Sequence, residues 1–448
     1  MITGNGPWLR RLNVQHAALG GIALLALLLR LYYVHTAVVI QPIRGDAVQY
    51  YSYAWNLLHH GVFSSAFPNT AVVVPDSFRD PGYPTFLALL LGTSGSPEAF
   101  IRHVSDVQCV LSAATVWMFA VLARRWAGFA AAIATGVLLA LWPHTITLAS
   151  YVLSETLLGF LVALALLATD ETLRHGGKSR PLAAGFCFAL AGLTNAVMAP
   201  FAPLIALLGL WRDRKRRRTW ALVLIAAVLP LAAWSLRSTT LPAGQESSSD
   251  RAKMNLVQGA WPEYHAAYLY SHDNANAAAV MKSIDAEYDA LRTNTAGGLG
   301  RIVHRLGAEP GRYAAWYLSK PLELWGWEIG IGAGDVYVYP TFRSPLLMQP
   351  ILAGVVGALF FLAPFVLLFA AIGGVLALLP SSGTPTAMKV AVALAAWVTV
   401  VYGVLQSDAR YSTPFRGLEV LLAAFAVHAV VGMLRRRRPG FANGRITS

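Results

Sequence analysis
The sequence predicts an all-α integral membrane protein with about ten helices crossing the bilayer. Three observations carry that expectation. Of 448 residues, 56% are hydrophobic and only 13% are charged, against roughly a quarter charged in a soluble domain. Apolar stretches able to span a hydrocarbon core of about 30 Å recur along most of the chain. Lys and Arg gather in short clusters between them, at Arg10–Arg11, Arg124–Arg125, 174–180, 212–218 and 435–438.

The clearest apolar stretches are 17–39, 127–142, 156–169, 220–236, 351–379, 390–405 and 418–434. Helix is the reading for each, because backbone polar groups in lipid must be satisfied within their own segment. Placing every basic cluster in the cytoplasm obeys the positive-inside rule. It also requires an even number of crossings between consecutive clusters. One span precedes a loop at 41–102 and one returns to Arg124; two more lead to Arg174 and two short ones to Arg212. One precedes the long loop after Arg237, and three follow it. Two helices of about 15 residues must fit into 181–211, short for full spans, so a re-entrant hairpin is the alternative there.

This divides the chain into a membrane core over 1–236, which includes the first outer loop, a long outer loop over 237–345, a C-terminal group of spans over 346–434, and a basic cytoplasmic tail over 435–448. The net charge of +13 sits mainly in the cytoplasmic clusters, so it does not imply a nucleic-acid partner. Cys109 and Cys187 both lie in apolar segments and imply no disulfide framework. The first apolar segment is too long for a signal-peptide core and is expected to stay as an anchor. No internal repeat of the kind found in many transporters is visible.

Both outer loops carry amphipathic patterns. In the first, Ala47, Tyr50, Tyr51, Ala54, Leu57 and Leu58 recur at helical spacing, and Gly61 supplies a stop. A helix lying along the membrane surface is expected there. In the second, a helix is expected over 278–291, and an apolar stretch over 313–327 leads back towards the membrane. Its Trp and Tyr content favours an ordered loop near the interface.

Five short motifs follow one another along the chain. They are Gly45-Asp46-Ala47-x-x-Tyr50 after the first span, Arg79-Asp80-Pro81-Gly82-Tyr83-Pro84 in the first loop, and Leu153-Ser154-Glu155-Thr156-Leu157 at the outer end of a helix. Trp234-x-x-Arg237 then leads to Asn255-Leu256, and Arg410-Tyr411-x-x-Pro414 enters the last span. In this order and topology they resemble the membrane-embedded glycosyltransferases with the GT-C fold. The resemblance is to their bacterial dolichyl-phosphate-mannose protein mannosyltransferase-like and aminoarabinose transferase-like branch, and it covers almost the whole chain. It implies a polyprenyl-phosphate-linked sugar as donor. The sequence has neither a Gly-rich nucleotide fingerprint nor an Asp-x-Asp pair for a sugar nucleotide. Transfer from a lipid phosphate needs one base for the acceptor hydroxyl and positive charge for the leaving phosphate, unlike the paired carboxylates of glycoside hydrolysis.

Asp46 is the candidate catalytic base, and its bland alternative is an ordinary helix N-cap. Arg79 and Arg410 are the candidate donor-phosphate ligands, since a guanidinium grips phosphate bidentately. The alternatives are ion pairs of Arg79 with Asp80 or Asp76, and of Arg410 with Asp408 or Glu155. Glu155 among apolar neighbours orients an Arg, recognises sugar, holds a divalent cation together with Asp46, or forms a structural ion pair. Asp80, Tyr50, Tyr83 and Tyr411 are supporting candidates, with interfacial anchoring as the alternative for the tyrosines. Arg30, inside the first span, is expected to snorkel or to pair within the bundle, and His144 to punctuate a turn.

The expected protein is therefore an inverting transferase in the cytoplasmic membrane of a bacterium. Its site faces the periplasm, its termini are cytoplasmic, and its acceptor is a hydroxyl on a lipid, glycan or protein. The competing expectations are a transporter or flippase, or a polymerase or ligase, for a lipid-linked glycan. A transporter places polar residues through the bilayer midplane, whereas the notable charges here concentrate on one outer face. Metal dependence stays open at this stage.

Overall fold
The computed structural model describes residues 7–436 apart from 243, 381 and 382. The tail expected over 435–448 falls, beyond residue 436, outside the described residues, as do the side chains of Arg10 and Arg11.

The chain enters with α1 (Pro7–Thr36), then builds the first long loop with α2 (Asp46–His60) and α3 (Gly82–Leu91). α4 (Pro97–Ala127) crosses back. Its start is set by Ser96, whose side chain accepts from Ala99 N, with Pro97 in the first turn. α5 (Phe129–Leu141) and α6 (Pro143–Thr147) form one path bent by 56°. Pro143 has no N–H to continue the ladder and forces Trp142 into an extended conformation (φ −66°, ψ 113°). α7 (Glu155–His175), α8 (Ser179–Thr194), α9 (Phe201–Arg212) and α10 (Arg217–Thr239) follow.

The second long loop holds α11 (Ser248–Gly259), α12 (Tyr264–Tyr270), α13 (Ala275–Thr293), α14 (Thr295–Ala308), α15 (Pro310–Trp325) and α16 (Pro345–Met348). α17 (Pro350–Leu378), α18 (Thr386–Val404), the single turn α19 (Ala409–Ser412) and α20 (Arg416–Arg436) complete the bundle. A two-residue ribbon, β1 (Val38–Val39) against β2 (Thr341–Phe342), antiparallel, ties the exit of α1 to the end of the long loop.

Among the described residues, seven helices are long and apolar enough to cross a membrane, or eight with the bent α5–α6 path. This falls short of the expected ten; α8 and α9, of 16 and 12 residues, are too short to count among them. That pair is the short hairpin region anticipated over 181–211. Bundle helices approach closely through small residues. A Cβ on Gly373 would sit 2.1 Å from Leu422 O, so α17 and α20 pack backbone to backbone, and Gly185 does the same for α8 against Val223 O of α10.

The two ends of the bundle differ. Arg124 meets His16 at one end, and Arg125 and Arg174 meet Asp170 there. The two long loops, over 41–96 and 240–349, converge on the other end. Lys320 Nζ donates to Gly259 O and to Leu405 O, and Arg237 Nη1 donates to Asp76 O of the first loop. The long loop has its own core of Val257, Tyr264, Ile284, Leu291 and Ile302.

Candidate active site
α2 starts at Asp46 because Gly45 takes a positive φ of 53° that an L side chain rarely adopts, and it stops at Gly61 in the left-handed conformation (φ 64°). No side-chain cap bond is made at this N-terminus, so the capping alternative for Asp46 is corrected: its carboxylate faces elsewhere. Oδ1 accepts from Arg79 Nη2 at 2.6 Å, and Oδ2 accepts from Arg410 Nη2 at 2.8 Å. Arg410 Nε donates to Glu155 Oε1 at 2.5 Å, and Arg79 Nε donates to Gln49 Oε1 at 2.6 Å. The result is a row, Gln49–Arg79–Asp46–Arg410–Glu155, drawn from the first loop, the first turn of α7 and α19.

The row combines buried cations with an accessible anion. The side chains of Arg79 and Arg410 are 13% and 11% exposed, whereas that of Asp46 is 33% exposed. Burial pushes the Asp46 carboxyl up, but the facing guanidiniums of Arg79 and Arg410 outweigh it and hold the group well below the usual carboxylate range. Arg79 also lies over the ring of Tyr50, 5.0 Å from its centroid. Tyr50 Oη and Ser154 Oγ are 3.4 Å apart, which links α2 to the start of α7.

Arg79 adopts neither of its competing pairings, whereas Arg410 adopts one of its two while also holding Asp46. Arg79 bonds neither Asp80 nor Asp76 but Asp46. Arg410 does pair with Glu155, while Asp408 accepts from the Arg410 backbone N (2.7 Å) and from Ile331 N (2.8 Å) as the cap of α19. Asp76 is buried, accepting from Ser65 N and Phe78 N and from the Tyr53 hydroxyl.

The supporting candidates separate. Asp80 accepts from Arg251 Nη2 at 2.6 Å and from Ala196 N at 3.0 Å, so it clamps the first loop to α11 and to the α8–α9 turn. Tyr83 is fully buried, donates to Gln108 Oε1 at 3.1 Å, and packs edge-on against Tyr50 at 5.1 Å. Tyr411 stacks on Tyr402 at 5.3 Å, and the Tyr402 hydroxyl accepts from Asn195 Nδ2. His144 is not loop punctuation: it is buried, with Nε2 2.5 Å from Trp327 O. Arg30 does not snorkel. It is buried and donates to Ser112, Thr145 and three carbonyls inside the bundle.

Three residues near the row escaped the sequence reading. Gln49 was readable as Asp46-x-x-Gln49, three positions on along one helix face. Tyr339, whose hydroxyl donates to Arg44 O at 2.8 Å, and Arg251 carry no local signal.

Each Asp46 oxygen is taken by a guanidinium, and among the described residues no group of three or more His, Cys, Asp or Glu side chains is placed to hold a metal.

No family model matches the chain, and no curated protein matches it in sequence. Solved structures do. The oligosaccharyltransferase of Archaeoglobus fulgidus, described in complex with zinc and sulfate, matches 94% of this chain at 15% identity with a TM-score of 0.50. The chain has a GT-C-like fold. It spans about half of that oligosaccharyltransferase, 50% of its length. ArnT from Cupriavidus metallidurans, bound to undecaprenyl phosphate, matches 92% of this chain and 77% of its own at 15% identity, with a TM-score of 0.39. Within the GT-C-like frame, the row from Gln49 to Glu155 occupies the end of the bundle where the two long loops meet.

Proposed function
We propose that this protein is an inverting glycosyltransferase that moves a sugar from a polyprenyl-phosphate donor to a hydroxyl on a lipid, glycan or protein acceptor. The observation that carries the reading is the Asp46 carboxylate held between the buried guanidiniums of Arg79 and Arg410 at the loop end of a membrane bundle. The GT-C-like fold supports a transferase. The setting proposed is a bacterial cytoplasmic membrane, with the row on the periplasmic face and the termini in the cytoplasm, because the basic clusters gather at the opposite end.

Charge shapes the mechanism. Two arginines, Asp46 and Glu155 make a row with no net charge, so an arriving phosphate has to share or displace a carboxylate. Asp46 is the more accessible of the two acids, with 33% side-chain exposure against 8% for Glu155. The donor phosphate takes the guanidinium positions that Asp46 holds, and Glu155 keeps Arg410 aimed. Released from its ion pairs, Asp46 regains ordinary basicity and accepts the proton of the acceptor hydroxyl. That oxygen forms a bond to the anomeric carbon while the bond from this carbon to the phosphate oxygen breaks on the opposite face. The electron pair stays on the phosphate, where Arg79 and Arg410 balance it. One displacement inverts the anomeric centre.

A transport path needs polar groups free to meet cargo across the midplane. The buried charges of the bundle are instead committed. Arg30 is bonded as described, and Arg416 donates to Glu419 Oε2 at 2.6 Å and to Trp325 O at 2.9 Å.

The deciding experiment is the envelope glycan profile, by mass spectrometry, of a deletion strain complemented with wild type or Asp46→Asn. Loss of one defined sugar, restored by wild type alone, is the expected result and names the sugar. Equal restoration by Asp46→Asn removes Asp46 as the base, and an unchanged profile in the deletion strain counts against the transferase reading.

A further inference from the structure
At the end of the bundle opposite the Asp46 row, the basic residues divide into two groups. Those of α4 and α7 are neutralised within the fold, Arg125 by Asp170 and Glu171, and Arg174 by Asp170. Those around the starts of α8 and α10 are not. Six of the seven residues over 212–218 are Lys or Arg. Their one acid, Asp213, lies 3.7 Å from Arg216. Arg214, Lys215 and Arg218 are exposed and make no side-chain hydrogen bond or ion pair among the described residues. Arg217 commits only Nε, which donates to Leu210 O at 3.2 Å.

Two turns meet at this corner. Gly185 of α8 lies against Val223 O of α10, and Gly192, further along α8, lies against Leu231, further along α10. Contacts that advance together along both helices mean that the two run parallel. Gly185 and Val223 each lie six positions into their helix, so the starts of α8 and α10 are level and adjacent. Lys178 and Arg180, exposed at the start of α8, therefore stand beside the run over 212–218. Neither helix carries an acid in its first turn. Like charges this dense repel one another, and the fold supplies them almost no counter-charge. The depth of the patch says which anion can. Trp211 is 68% exposed, carries Arg212 over its ring at 5.5 Å, and continues the exposed face of Leu204, Leu207 and Leu208 on α9. Leucines that point outwards from a membrane bundle face lipid, and an outward Trp beside them marks the headgroup level. Phosphodiesters are the anions fixed at that level, and guanidiniums hold phosphate oxygens bidentately.

We propose that the level starts of α8 and α10 form a binding site for anionic phospholipid headgroups, in the leaflet opposite the Asp46 row, with Lys178, Arg180 and the basic run over 212–218 as its ligands. The headgroups supply the counter-charge that Asp170 and Glu171 supply to the neighbouring corner of α4 and α7. One corner is thus closed by its own carboxylates and the other by lipid. The site needs only the bundle and a bilayer, so it stands apart from the transferase reading.

Native mass spectrometry of the full chain, released from nanodiscs that hold phosphatidylglycerol and phosphatidylcholine in equal amounts, reads the preference directly. Retention of phosphatidylglycerol over phosphatidylcholine is expected, and equal retention overturns the site. Combining Arg214→Gln, Lys215→Gln, Arg217→Gln and Arg218→Gln is expected to weaken phosphatidylglycerol binding by at least about tenfold. Lys178→Gln with Arg180→Gln leaves the run over 212–218 intact to direct insertion, and this pair is expected to cost about threefold. Lys282→Gln with Arg301→Gln removes the same charge from exposed positions of the second long loop and is expected to cost nothing. An equal loss in the two pairs reduces the effect to net charge, and no loss in either separates the two turns; each result overturns the joint site. Should the combined variant fail to insert, the two pairs decide the matter by themselves. Inorganic phosphate at millimolar concentration is not expected to displace the lipid. Displacement makes the patch a site for a soluble anion and overturns the lipid assignment.

Discussion
At each end of the bundle one aspartate is held by two arginines, and the two nodes are built inside out from one another. Asp170 is 1% exposed in its side chain, and its Oδ2 accepts from Arg125 Nη1 at 2.9 Å and from Arg174 Nε at 2.7 Å. Its other oxygen accepts from Trp126 Nε1 at 2.9 Å. The arginines there reach outwards, at 30% and 38% exposure. In the Asp46 node the arginines are the buried members and the carboxylate is the accessible one. A buried anion with solvated cations is a closed tether, here between α4 and α7. A buried pair of cations with an accessible anion is an anion site whose occupant can be exchanged. The same residue types thus make a brace at one end and a candidate binding site at the other.

Substitution of Asp46 tests that contrast most severely. Asp46→Asn keeps the shape of the row and is expected to lower sugar transfer by at least about 100-fold, measured with the polyprenyl-phosphate sugar that the glycan profile identifies. Full turnover in that variant would make the Asp46 node a second brace. Next in size are Arg79→Ala and Arg410→Ala, each expected to weaken undecaprenyl phosphate binding by about tenfold to a hundredfold, the range of a charge-assisted hydrogen bond. Arg79→Lys is expected to recover little, because one ammonium cannot span both Gln49 and a phosphate oxygen. Unchanged affinity in both alanine variants removes them as phosphate ligands.

Asp170→Asn reads the other node. Its arginine partners are about a third exposed, so the expected cost is only about 1–2 kcal/mol, seen as a lower Tm with undecaprenyl phosphate affinity unchanged. A variant that keeps its Tm but loses affinity would reverse the contrast.

The smallest expected effect is on pH dependence. Because the guanidiniums hold Asp46 low, the stability from this pairing is fully present above the ordinary carboxylate pKa of about 3.9, and it is lost as pH falls towards the depressed value. A bound phosphate withdraws those guanidiniums and raises Asp46, so the bound state carries more protons. Affinity in wild type, relative to Asp46→Asn, is therefore expected to rise by about threefold as pH falls from about 6 to about 3.5. A ratio that does not change with pH leaves Asp46 paired in the bound state and rules out the exchange.

Much of this arrangement was legible in the sequence. Apolar runs marked the helices because a helix in lipid has to be apolar around most of its surface. The periodicity from Ala47 to Leu58 and the stop at Gly61 marked α2, since both are local properties of the chain. Asp46, Arg79, Glu155 and Arg410 were singled out by short motifs that resemble those of the GT-C glycosyltransferases, with charge placed beside apolar segments in support. The cap reading of Asp46 failed because Gly45 turns the chain so that the carboxylate leaves the helix end free. Of the two expectations for Arg30, bonding within the bundle held and snorkelling did not, because the break at Pro143, itself visible in the sequence, opened carbonyls to it from a helix about 110 residues away.

The sequence by itself determined a multi-pass helical membrane protein, the two loops that stand outside it, and the short set of charged residues beside those loops. Composition and periodicity suffice for the helices and loops, because each helix answers to its own solvent, whereas the charged residues came from motifs that resemble a known family. Only the tertiary structure decided the partners: Asp46 with Arg79 and with Arg410, 33 and 364 positions away, and Arg410 with Glu155, 255 positions away. It also decided which members of each ion pair are buried. Those choices depend on how helices far apart in sequence converge at one end of the bundle, and no local spacing encodes that convergence.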